Sequence, residues 1–189
     1  MVRMAAGQSA CIAACLIMKT YHIHIGGLVQ GVGFRPHVYK IAEQMALTGW
    51  VSNTKDGVHI EINAEETVSA LFYRSVIQQP PANAVITAHR IKEVASKTFS
   101  SFSILPDSTD SKPDLLLTPD FAVCEHCKNE IADPKNRRFR YPFSTCLHCG
   151  PRYSIIKALP YERYHTTMSH LQMCGVCGDE YNNVYDRRH

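Results

Sequence analysis

The sequence has no apolar run near the ~20 residues that a membrane-spanning helix needs; its longest, Ala10–Met18, has nine. It also has little excess of either charge. The net charge is +3, with nine Lys and Arg against six Asp and Glu up to Pro106, and eleven against eleven beyond it. Neither half carries the dense basic surface that holds a polyanion without regard to sequence. A scattered cysteine framework is missing too. Six of the eight cysteines fall in three CxxC pairs, a spacing that suits metal knuckles better than disulfides and points to a reducing, cytoplasmic setting. These absences predict a protein without a membrane segment, with nucleic acid an unfavoured partner.

The first eighteen residues, with Arg3 ahead of Ser9–Met18, have the outline of a signal peptide but no convincing cleavage site. The simpler expectation is an extension over residues 1–18 that is not native, with the natural start at Met18-Lys19-Thr20. Cys11 and Cys15, four apart, then read as packing residues rather than ligands.

Tyr21–Ile25 alternates as a half-buried strand does and runs into Gly27-Leu28-Val29-Gln30-Gly31-Val32-Gly33-Phe34-Arg35-Pro36. Pro36 fits a first helical residue, where the missing N–H costs nothing. The loop is therefore expected to end at a helix N-terminus, where unpaired N–H groups and the helix dipole favour an anion. Gly31 and Gly33 would let a phosphate reach the main chain, and Arg35 adds a planar fork for its oxygens.

Apolar residues at helical spacing (Val38, Ile41, Ala42, Met45) predict a helix over Pro36–Ala46. Leu47–Ser52 and Val58–Ile62 read as strands around an Asn53–Gly57 hairpin turn, and Glu65–Val76 as a second helix. Val85–Val94 and Phe102–Leu105 follow as strands, giving an α+β, ferredoxin-like β-α-β-β-α-β order over residues 19–106. Pro106–Pro113 is polar and bounded by proline, so residues 107–117 read as a linker to a small irregular domain over 118–189.

Gly27–Arg35 (GLVQGVGFR), Gly49–Thr54 (GWVSNT) and Gly57 resemble the acylphosphatases, ferredoxin-like enzymes that hydrolyse carboxyl phosphates. The resemblance covers about Lys19–Leu105. It implies that the amides of Gln30, Gly31, Val32, Gly33 and Phe34 bind the phosphate, that Arg35 clamps it, and that Asn53 holds the attacking water. An acyl phosphate is already activated, so charge stabilisation and an aligned water would suffice.

Cys124 and Cys127 are followed after eighteen residues by Cys146 and Cys149, enough thiolates for one tetrahedral zinc site. Cys174 and Cys177 repeat the first pair at an offset of fifty, which also matches Glu130 to Glu180, Arg137 to Arg187 and Arg138 to Arg188. The partners of Cys146 and Cys149 at that offset fall beyond His189. The third pair would need help from His170 or His189, or would interleave with another pair. His126 and His148 lie inside knuckles, where side chains point outward. Arg137, Arg138 and Arg140, set among Phe139, Tyr141 and Phe143, suit either nucleic acid or an internal scaffold, and the even charge favours the scaffold.

Asp133–Phe143 leading to Cys146–Tyr153, behind an acylphosphatase-like domain, resembles the front of the HypF family, the carbamoyltransferases of nickel-iron hydrogenase maturation. This resemblance runs from about Lys19 to His189. It implies hydrolysis of carbamoyl phosphate to carbamate as a first step toward the cyanide ligand, with structural zinc and a HypE-like acceptor protein. The chain ends before a fourth CxxC and before any adenylate-forming or transfer domain, so it is expected to be a fragment limited to that first step.

Overall fold

The computed structural model describes residues 17–107 and 120–189. The expectations for residues 1–16, including Cys11 and Cys15, and for the linker beyond Asp107 lie outside the described residues. Among the described residues no helix is long and apolar enough to cross a membrane.

Seven elements build the first part: β1 (Lys19–Leu28), α1 (Phe34–Gln44), β2 (Thr48–Thr54), β3 (Gly57–Ala64), α2 (Glu66–Gln78), β4 (Val85–Val94) and β5 (Phe102–Ile104). They form one sheet in the order β4-β1-β3-β2-β5, antiparallel except where β5 runs parallel to β2. This is the α+β, ferredoxin-like arrangement that the alternating strands and two amphipathic helices require.

Period-two alternation sends Ile23, Ile25, Val51, Val58, Ile60 and Ile62 to one face, where they meet Phe34, Val38, Phe72 and Val76 of the helices. Full burial of each such side chain contributes on the order of 1.5–3 kcal/mol, so this layer sets the register. The other face is polar. His22 and His24 of β1 stand opposite Glu61 and His59 of β3. Lys97, from the β4–β5 connection, reaches Glu61 at 2.7 Å, and Trp50 donates to the same carboxylate.

The first helix starts two residues earlier than its proline suggests. Gly33, at φ +79°, takes the cap position and makes Pro36 the third helical residue. The proline is still tolerated, because the first bond of the helix runs from the His37 N–H to the Gly33 carbonyl at 3.1 Å. The amides of Phe34 and Arg35 lie ahead of it.

The second part has little regular structure: α3 (Glu125–Ala132), α4 (Gly175–Asn182) and two single 3₁₀ turns. Its small core is Cys127, Cys146 and Cys149 with Val123 and Cys124 against them. With so little apolar surface to bury, a metal or its equivalent is needed to hold such a unit together.

Candidate functional site

The loop between β1 and α1 is fixed by both of its neighbours. Gln30 donates to the carbonyls of Thr54 (2.7 Å) and Gly57 (3.3 Å) in the β2–β3 turn. Its Oε1 accepts from the Tyr161 N–H at 3.2 Å, a residue of the second part. Val32 and Phe34 are buried in the core, so what they offer a ligand is their backbone. Gly31 and Gly33 both have positive φ, and each is covered from outside. A Cβ on Gly31 would sit 2.3 Å from Pro151, and one on Gly33 3.1 Å from Leu147. The second part is packed on the mouth of the loop, helped by a hydrogen bond from Asn83 to the His148 carbonyl at 2.7 Å.

Arg35 leaves the first turn of α1 and meets two carboxylates. One guanidinium nitrogen donates to Asp107 Oδ1 at 2.6 Å, and the other to Glu162. Asp107, the first residue of the expected linker, has a side chain that is wholly buried. Burial pushes its carboxyl up to about 7, Glu162 acts in the same direction, and Arg35 and an Asn53 hydrogen bond oppose the shift. Asn53, expected in the hairpin turn, is instead the penultimate residue of strand β2, paired with Val58; it is buried, and its Oδ1 accepts no hydrogen bond. Asp107 Oδ2 is likewise buried and unpaired. Arg35 and Asn53 thus meet at one carboxylate, Asp107, at the end of the loop that carries the expected amide donors. A groove of about 520 Å³ between α2 and β4, lined in part by Tyr73, Arg74 and His89, lies apart from these groups.

Of the six CxxC cysteines, the structure brings four together. The Sγ atoms of Cys124, Cys127, Cys146 and Cys149 lie within 4.8 Å of one another. The Cys124 N–H points at Cys149 Sγ at 3.3 Å. Burial pushes the Cys127 thiol up to about 12. Burial also acts to raise Cys149, but hydrogen bonds from the Cys124 amide and the neighbouring thiols bring it down to about 7. Four converging sulfurs in a nearly dry pocket fit a tetrahedral metal. His126 and His148 stay outside the cluster, with ring centroids 6.2 Å apart.

Cys174 and Cys177 do not join them, and among the described residues no third donor gathers at that pair. They open α4 as Cys124 and Cys127 open α3, and the segments that follow the two helices exchange arginines. Arg137 donates to Cys177 Sγ at 3.3 Å and to Glu180 at 2.8 Å, with Arg138 also on Glu180. In return Arg187 donates to Cys127 Sγ at 3.0 Å and to Glu130, with Arg188 on the same carboxylate. The fifty-residue repeat is thus a reciprocal clasp, and it occupies arginines that sequence left open to nucleic acid.

Sequence reasoning missed Asp107 and Glu162. Glu162 lies 127 residues from Arg35, and no local pattern marks it.

Residues 21–104 match the acylphosphatase family model, and residues 123–156 match the HypF finger model. The chain is 40% identical over 90 residues to the acylphosphatase of Pseudothermotoga lettingae, which it covers entirely, using 47% of its own length. It is 42% identical over 153 residues, 81% of this chain, to the carbamoyltransferase HypF of Synechocystis sp.. There it spans about a fifth of the relative's length. A crystal structure of full-length HypF, in a phosphate- and nucleotide-bound form, superposes with TM-score 0.83 at 42% identity. That match covers 91% of this chain and 23% of the other.

Proposed function

This chain belongs to the acylphosphatase family and joins that domain to a HypF finger, and we propose that it hydrolyses carbamoyl phosphate to carbamate and inorganic phosphate. The observation that carries this reading is that Arg35, in the first turn of α1, and Asn53, whose buried Oδ1 accepts no hydrogen bond, both reach Asp107. In the reaction the amides of Gln30 to Phe34 and the guanidinium of Arg35 hold the phosphoryl oxygens. Asn53 Oδ1 accepts a hydrogen from the attacking water, whose oxygen bonds to phosphorus as the bond to the carbamate oxygen breaks. No protein nucleophile is required, because the leaving carbamate is already stabilised as an anion.

The substrate must compete for Arg35. Its nitrogens are engaged by Asp107 and Glu162, two carboxylates in the place of two phosphate oxygens. Phosphate entry requires that at least one of them turn away or take up a proton. Glu162 belongs to the second part, past the residues that match the finger model, so that part acts on the site directly rather than as a remote appendage.

Zinc in the four-cysteine cluster would be structural: all four positions are protein thiolates, which leaves none for a water. In the longer HypF relatives the carbamate would feed a carbamoyl transfer in nickel-iron hydrogenase maturation, with a HypE-like acceptor protein at a later step. The engaged state of Arg35 favours one second reading, a scaffold that binds phosphate without turning it over. Release of inorganic phosphate from carbamoyl phosphate separates the two. Turnover that Arg35→Ala abolishes supports the hydrolase; stabilisation of the fold by phosphate without turnover supports the scaffold.

A further inference from the structure

On the polar face of the sheet, away from the cysteines, three side chains converge without a role in the reaction above. His24 of β1 and His59 of β3 are directly opposed in register, with ring centroids 4.6 Å apart. Asp56, in the β2–β3 turn, places one carboxylate oxygen 3.1 Å from His59 Nε2 and the other 3.6 Å from His24 Nε2. We propose that His24, His59 and Asp56 form a binding site for a divalent transition-metal ion, zinc by its donor set, separate from the four-cysteine cluster.

The spacing supports this. A tetrahedral zinc ion with bonds of about 2.0–2.1 Å holds its donors roughly 3.3 Å apart. The two contacts to Asp56, one to each carboxylate oxygen, lie near that value, and one donor atom from each of the three residues lies within 4.8 Å of the others. His24 Nε2 also lies 3.0 Å from the Asp56 main-chain carbonyl, so an ion would displace the proton that this nitrogen shares with the carbonyl.

The surroundings are organised as metal sites commonly are. His22 Nε2 lies 2.9 Å from His59 Nδ1, the nitrogen that would face away from the metal. If His59 donates there, its Nε2 lone pair is free for the ion, and His22 fixes both the tautomer and the ring plane. Thr54 Oγ1 donates to Asp56 at 2.5 Å and holds the carboxylate in the same way. The three side chains are 16–27% exposed, open enough for an ion to enter and for water to complete its coordination. Arg90 pairs with His24 in register from β4, and its positive charge opposes a cation here, so the Asp56 carboxylate has to supply the compensating charge.

Two histidines and one carboxylate are harder donors than four thiolates, so the two sites can be distinguished in one sample. The experiment loads the full chain with zinc by equilibrium dialysis. It compares bound metal in the wild type with that in His24→Ala/His59→Ala and, separately, Asp56→Asn, after circular dichroism shows each to be folded. We expect the wild type to hold one more equivalent than the double variant, with Asp56→Asn losing that equivalent or binding it at least tenfold more weakly. Cobalt loading should show the missing equivalent as a weak visible band without sulfur-to-metal charge transfer. Equal zinc in the wild type and both variants, or a lost equivalent carrying the thiolate band, overturns the proposal.

Discussion

Replacing Glu162 with glutamine tests whether the second part competes for the phosphate clamp. In the wild type, Arg35 donates to Glu162 and to Asp107, and a phosphate must take at least one of those hydrogen bonds. A hydrogen bond to a charged group contributes about 1.5–3 kcal/mol, and glutamine would keep such a bond to the guanidinium while losing the attraction between opposite charges. The amide of glutamine keeps the size of the side chain and gives up the charge. The weaker rival should lower the KM for carbamoyl phosphate, and the inhibition constant of inorganic phosphate with it, by about tenfold, which corresponds to ~1.4 kcal/mol. The kcat should change by less than about threefold, because Asn53 and the loop amides are untouched. Steady-state phosphate release at several substrate concentrations, with phosphate as a competitive inhibitor, gives both constants. An unchanged or raised KM in a folded variant would refute the competition and leave Glu162 as an ordinary packing contact.

Four further outcomes follow from contacts in the two parts. Because burial raises Asp107 to about 7, its protonated form predominates below that pH and presents no charge against phosphate; kcat/KM should fall as pH rises through 7, with that component absent in Asp107→Asn. The same shift sets the sign for stability: a carboxyl raised in the fold costs stability as pH climbs from about 4 to about 7, and Asp107→Asn should flatten denaturation midpoints over that window. If the four cysteines hold zinc as proposed, a chelator, or Cys149→Ser, should remove amide hydrogen-exchange protection from 123–156 while residues 19–104 keep theirs, since the sheet has its own apolar layer. Glu130→Gln should loosen the grip of Arg187 and Arg188 and speed exchange in α3 and its clasp partner α4 together, whereas a local effect on α3 alone would argue against the reciprocal clasp.

The sheet and its helices were legible because period-two and period-3.6 patterns survive in Tyr21–Ile25, Val58–Ile62 and the helix over residues 34–44. The start of that helix was misplaced by two residues, since a left-handed glycine can cap a helix before a proline that reads as its first residue. CxxC spacing announced four cysteines that meet, but pairing across the repeat is a matter of tertiary packing. Sequence left open what the third pair does, and in the fold it faces Arg137. Asp107 was hidden by its own neighbourhood, where a polar, proline-bounded stretch looks solvated until Arg35 lies against it. The histidine cluster had a signal that was passed over: alternate histidines at 22 and 24 on one strand must share a face.

The central claim, that this chain is a working acyl phosphate hydrolase, is tested most directly by the release of inorganic phosphate from carbamoyl phosphate, wild type against Arg35→Ala. Losing a preorganised donor of this kind costs about 2.7–4 kcal/mol, or ~100- to 1000-fold in kcat. The account predicts clear turnover in the wild type, a loss of that size in the variant, and unchanged metal content in both. A folded wild type that releases no phosphate, or an Arg35→Ala chain that releases it as fast, would contradict it.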